Sequence, residues 1–301
     1  MAGNNLSDRK DIRAYFALFL GISALSLTAM FVRWADAPGT ISGFYRLFFS
    51  SLILIPVVII RGKKKFQITR NNILFPILGG VFTAFDFAFW NTSVFFTSAS
   101  NSTLLGNTAP IWIGLVTIFV FREKVPLGFW IGLFLALFGA GMVLGNDLMI
   151  HTDLGIGDLM AITAGFFYAG YLLATQFGRK SMDPISYMVV MVISASIFSF
   201  IINAILGVPF IGYSSQSWIM FIIMAFISQI LGYISITFAL GHLPASLVSP
   251  TMIAQPILTT LLAIPLLKEL PQIFQIIGGI IALAGIFLVH LSNNRKLPLI
   301  I

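Results

Sequence analysis

The chain has no cysteine, and only 9% of its 301 residues are charged. The first absence excludes disulfides, thiol catalysis and cysteine metal sites. The second excludes an ordinary soluble surface, which carries about 25% charged residues. Histidine is scarce as well. His151 and His242 fall in loops and His290 near a span end, too scattered for a metal cluster. No nucleophile–base set and no glycine-rich phosphate loop occurs at usable spacing. The expectation is a chain without catalytic residues, metal or cofactor.

What is abundant is apolar surface, 58% of residues, with a mean hydropathy of +0.99. A net charge of +7 also fits a nucleic-acid partner. Here the excess sits in short loops beside hydrophobic runs, so the expected partner is a lipid bilayer and not nucleic acid. A helix crosses the hydrocarbon with about 20 apolar residues, and lipid leaves its backbone no partner but itself. These lengths predict ten spans, at 14–32, 40–60, 72–92, 101–121, 127–146, 157–177, 185–206, 217–240, 246–267 and 272–292. The polar start, Met1 to Arg13, precedes a run too long for a signal-peptide core, so it reads as a retained first span.

Basic residues set the orientation. With the amino terminus inside, cytoplasmic segments hold Arg9, Lys10, Arg13, Arg61, Lys63, Lys64, Lys65, Arg70, Arg122, Lys124, Arg179, Lys180, Arg295 and Lys296. The other side holds Arg33 and Lys268. The expected location is the cell membrane, multi-pass, with both termini cytoplasmic.

A shift of 146 residues lays the chain over itself without a gap. Arg33 falls on Arg179, Pro38 on Pro184, Pro110 on Pro256 and Glu123 on Glu269. Gly132, Ala136 and Gly139 fall on Gly278, Ala282 and Gly285. Each copy holds five spans, an odd number, so the second must lie upside down. The expected fold class is an all-α integral membrane protein: two inverted five-helix repeats, 14–146 and 157–292, around a central cavity. Inverted repeats mark alternating-access transporters, with the substrate near the midplane.

The run Thr97-Ser98-Ala99-Ser100, then Pro110, Glu123, Gly132 and Gly139, resembles the repeat of EamA-type exporters in the drug/metabolite transporter superfamily. Pro244-Ala245-Ser246, Pro256, Glu269, Gly278 and Gly285 repeat the pattern. Arg46 resembles the basic residue that family tends to carry in its second helix. The resemblance covers nearly the whole chain. It implies a ten-helix basket, cytoplasmic termini, and export of amino acids, metabolites or drugs. Arg46 falls on Val192, so its charge is not duplicated.

Two ionisable residues lie well inside spans, Arg46 and Asp86, each about 9 Å below the outer surface at 1.5 Å per residue. Equal depth on consecutive helices predicts a charge pair. It either locks helices two and three together or leaves Asp86 to hold a substrate amine or a proton. Polar and aromatic residues share helix faces: Thr83, Asp86 and Trp90 on span three; Asn107 on span four; Tyr168 and Tyr171 on span six; Gln229 and Tyr233 on span eight; Gln255 on span nine. These nine form the expected substrate site, by stacking and hydrogen bonding, with interhelical bonding as the plainer alternative. Pro110 and Pro256 each remove a helical bond in mid-span and read as hinges. The functional expectation is a secondary active transporter exporting small amphipathic metabolites such as amino acids or drugs, with a proton or other ion as a possible coupling partner. A carrier of phosphorylated or nucleotide-linked sugars and a passive channel stand as alternatives.

Overall fold

The computed structural model describes residues 4–62, 68–69, 72–93, 96–97, 99–144, 155–267 and 272–293. Among these residues there is helix and no strand. Ten helices are long and apolar enough to cross a membrane: α1 (Ile12–Val32), α2 (Gly39–Arg61), α3 (Leu74–Ser93), α4 (Ser102–Phe119), α5 (Leu127–Leu144), α6 (Ile156–Gly178), α7 (Pro184–Ile205), α8 (Ser215–Leu240), α9 (Ala245–Leu262) and α10 (Ile273–Ser292). They match the spans expected from hydropathy. The charges used to read orientation at Lys63, Lys64, Lys65, Arg70, Lys268, Arg295 and Lys296 lie outside the described residues, as do Glu269 and His151.

Helix starts follow local chemistry. The Asp183 carboxylate accepts from the backbone N–H groups of Ile185 (3.1 Å) and Ser186 (3.3 Å), and Pro184 takes the position where a missing N–H costs nothing. At α8 the Ser214 hydroxyl accepts from the Ser217 N–H at 3.2 Å.

Three spans are broken: α1 at Leu27, between Asn4–Ser26 and Thr28–Ala35, and α4 and α9, whose breaks occupy matching positions in the repeats. In α4 the helix Ala99–Gly106 gives way to Ala109–Phe119; in α9, Ala245–Met252 gives way to Gln255–Leu267. Pro110 and Pro256 therefore stand in the first turn of a new helix and not in the middle of a continuous one. The broken turn has its own bonds: the Asn107 backbone N–H donates to the Thr103 carbonyl at 3.1 Å, and the Asn107 side-chain amide to the same oxygen at 2.8 Å.

A further irregularity in α8 has no counterpart. Ala225–Tyr233 in α8 is π-helical, whereas the matching stretch of α3 is regular α-helix. Widened turns of this kind collect at functional positions.

The helices group into two compact units that cut across the sequence repeats. The first comprises Met1–Asn91 with Gly170–Leu243, the second Thr92–Ala169 with Pro244–Ile301. Each unit thus combines matching helices from both copies. In the first, α2 lies along α7: Asn203 donates to the Thr40 carbonyl (3.3 Å), Phe44 packs on Phe200, and Arg61 pairs with Asp183 (3.4 Å). In the second, α5 lies along α10: Gly128 faces Ser292, Gly132 faces Gly285, Gly139 faces Gly278, and Gln275 donates to the Val143 carbonyl (3.0 Å). As one number rises the partner's falls, so both matched pairs run antiparallel. Small residues let the α5 and α10 backbones touch, the usual basis of helix association in lipid.

Candidate substrate site

The first unit collects most of the polar and aromatic residues expected to work. α2 contributes Arg46, α3 Thr83, Asp86, Phe87 and Trp90, α6 Tyr171 and Thr175, and α8 Gln229 and Tyr233. The second unit holds Asn107, Tyr168 and Gln255. The nine expected substrate residues are therefore divided six and three between the units.

Arg46 is the centre of the first unit's group. It is 6% exposed, and its guanidinium carbon lies 4.2 Å from the ring centre of Phe87 and 5.5 Å from that of Tyr233. Both fall within the distance at which an aromatic face attracts a cation, an interaction of about 2 kcal/mol where water is excluded. The two rings meet nearly at right angles, 85°, with centres 6.4 Å apart. The Tyr233 hydroxyl accepts a hydrogen bond from Arg46, and Asp86 lies within electrostatic reach of both. An isolated charge among spans is costly, so each of these groups depends on the other. Aromatic faces thus make up part of Arg46's surroundings.

Behind Tyr233 the wall continues. Tyr171 is fully buried, with its ring centre 5.3 Å from that of Tyr233. Its hydroxyl lies beside those of Thr175 and Thr237. The Thr175 hydroxyl donates to the hydroxyl of Tyr187 at 3.0 Å. Thr83 turns back on its own helix, donating to the Gly79 carbonyl at 2.8 Å. Gln229, one turn before Tyr233, is wholly buried, and neither end of its amide has a hydrogen-bond partner. An amide left so costs about 1–3 kcal/mol, so a use for it is to be sought.

Arg179 braces this wall from the end of α6. Its Nε donates to the Thr237 carbonyl of α8 (3.0 Å), and its guanidinium also donates to the Met182 carbonyl. Burial lowers the Arg179 pKa from the usual value, and the nearby Asp183 carboxylate works against that. Gly241 gives the guanidinium room, since a Cβ there would stand 2.5 Å from it.

In the second unit, Asn107 is taken up by the turn at the α4 break, and Thr251 bonds His290 at 2.9 Å. No group of three or more metal-ligating side chains occurs among the described residues.

Phe87 and Tyr187 were not among the expected site residues. Phe87 carried one usable signal: the 146-residue shift lays it on Tyr233. Tyr187 carried none, since its match is Ile41.

The same architecture occurs in known proteins. A solved crystal structure superposes with a TM-score of 0.74, covering 94% of this chain and 99% of the other at 16% identity, a likeness of fold. An uncharacterized transporter of Archaeoglobus fulgidus is 23% identical over 72% of this chain and 75% of its own. The S-adenosylmethionine uptake transporter of Rickettsia felis is 20% identical over 84% and 83%. The pattern of the EamA-like transporter family matches twice, over residues 12–145 and 155–291, one match for each copy. With ten membrane-length helices, a duplicated five-helix plan and both copies matched, the chain is a multi-pass membrane protein that belongs to the EamA-like transporter family.

Proposed function

We propose that the protein is a secondary active transporter of small amphipathic metabolites, such as amino acids or drugs, working in the direction of export by alternating access. The observation that carries this reading is the Arg46–Asp86–Phe87–Tyr233 cluster, with the unsatisfied Gln229 beside it, set among membrane-length helices. Such a cluster offers a ligand charge complementarity, aromatic faces and amide hydrogen bonds without covalent chemistry. The substrate contacts on this reading are Thr83, Asp86, Trp90, Asn107, Tyr168, Tyr171, Gln229, Tyr233 and Gln255. Matching breaks at Pro110 and Pro256 serve as hinges, and the antiparallel copies supply the two exchangeable states. Energy comes from an ion gradient, from exchange, or from the substrate's own gradient. The cell membrane is the location, with both termini cytoplasmic.

Counterflow in liposomes tests this. Vesicles preloaded with a substrate amine or amino acid are expected to draw in labelled substrate faster than empty ones, with saturation. Linear, unstimulated flux would make the protein a pore. A carrier of phosphorylated sugars is disfavoured, because Arg46 is the one basic residue away from the span ends among the described residues.

A second reading, uptake in place of export, draws support from the Rickettsia felis relative, whose name is that of an uptake carrier. Flux measured in each direction across oriented vesicles separates the two.

A further inference from the structure

Phe87 and Tyr233 are repeat-matched residues that meet each other, centre to centre at 6.4 Å. The rings are therefore a duplicated feature of the scaffold. The charges are not: the match of Arg46 is Val192, and the match of Asp86 is Gly232. A pair of aromatic walls with a carboxylate beside them is what recognises an organic cation in water-poor surroundings. In this structure the cation between those walls is a side chain, the guanidinium of Arg46.

We propose that Phe87, Tyr233 and Asp86 form a seat for an organic cation, and that Arg46 is its tethered occupant, displaced when the cationic group of a substrate takes its place. The proposal rests on the reading of this cluster as the substrate site. Charge balance explains why exchange is favoured over simple addition. Asp86 needs a counter-charge among apolar helices, so one cation must arrive as another leaves. A neutral ligand of the same shape leaves the carboxylate unpaired and is rejected. The substrate class is thus guanidinium, quaternary ammonium or sulfonium compounds.

Two local features allow the exchange. Tyr233 closes the π-helical segment of α8, where a helix re-registers at small cost, so one wall can move away from Arg46. One turn earlier, Gln229 holds a buried amide with both ends unpaired, ready for a polar group that the substrate carries next to its charge. Tyr171, 5.3 Å from Tyr233, extends the aromatic wall on the far side.

Emptying the seat tests the idea. In the full chain, R46A is expected to unfold at a lower temperature than wild type. Methylguanidinium, at ten times its Kd, raises the R46A midpoint by about 2 °C. Its neutral isostere methylurea does not. Wild type responds less than a third as much, because its seat is filled, and the R46A/D86N double variant does not respond. An R46A response to methylurea, a response that survives loss of Asp86, or equal responses in wild type and R46A would overturn the proposal. Where R46A fails to fold, R46M keeps the volume and is probed by equilibrium binding of labelled methylguanidinium, with D86N as the control. Counterflow of labelled methylguanidinium in wild-type liposomes, run in parallel, reports on the transporter reading. Its failure beside intact rescue would remove transport and leave the seat standing.

Discussion

Gly132 of α5 rests against the carbonyl oxygen of Gly285 of α10, and the reciprocal contact joins Gly139 to Gly278. The repeat shift carries Gly132 to Gly278 and Gly139 to Gly285. Each glycine therefore meets the match of the other. Only two antiparallel copies of one helix related by a two-fold axis give that crossed pattern.

The contact leaves no room for a methyl group. At Gly278 an added Cβ would stand 2.7 Å from the Gly139 carbonyl oxygen, whereas at the next residue, Gly279, the nearest atom is 3.7 Å away. G278A is expected to destabilise the protein by about 1–3 kcal/mol, the usual cost of overpacking against backbone. G279A is expected to stay within about 0.5 kcal/mol of wild type. Thermal unfolding in one detergent compares them, and equal losses would contradict the packing.

Gln229 gives a prediction with opposite signs in two assays. Q229M removes an unsatisfied buried amide at similar volume, so the folded protein should gain about 1–2 kcal/mol. Transport should fall, because the same amide is the proposed hydrogen-bonding group. A stabilised variant with normal flux would leave the amide without a role in substrate contact.

Asp86 is expected to be needed for transport or for its dependence on pH. D86N should lower counterflow or change its pH dependence, because an amide carries no charge for Arg46 and takes up no proton. The same rate and the same profile in D86N would take the carboxylate out of the mechanism. A double-mutant cycle of R46Q and D86N should give a coupling energy of about 0.5–3 kcal/mol, as for charges sharing one site. Strictly additive losses would separate the two residues.

At the end of α8, G241A is expected to push the Arg179 guanidinium off the Thr237 carbonyl. R179A and G241A should then destabilise by similar amounts, about 1–3 kcal/mol, and their combination by little more than either. Thermal midpoints of the three variants decide this.

Orientation has a direct test, since the chain has no cysteine to remove. Single cysteines at Lys64 and Asp153 should label from opposite sides of intact cells. Labelling from one side would break the proposed topology.

Span positions were legible because lipid imposes one length and one secondary structure on every crossing. The copies were legible because no residue has been inserted between them. Other features left no mark. Pro110 announced a disturbance in α4, but that it opens a second helix depends on Asn107 and Thr108 turning the chain first. The π-helical stretch of α8 has the same residue count as regular α3, so spacing gave no hint of it. Phe87 lies between Phe85 and Phe89, and in so aromatic a span nothing in the pattern singles out the ring that meets Arg46. The compact units were hidden because packing joins helices distant in sequence, such as α2 with α7.

Turned over end for end, the backbone pairs α2–α7 and α5–α10 come back onto themselves, yet Arg46 and Asp86 have no twins to come back onto. The architecture is ambidextrous and its chemistry is one-handed. Both charges stand at nearly one depth, off the middle of their spans, so the two ends of these helices differ in the charge they lie near. On the proposed reading, a carrier that grips its substrate unequally from the two sides needs only these two side chains to differ between its copies.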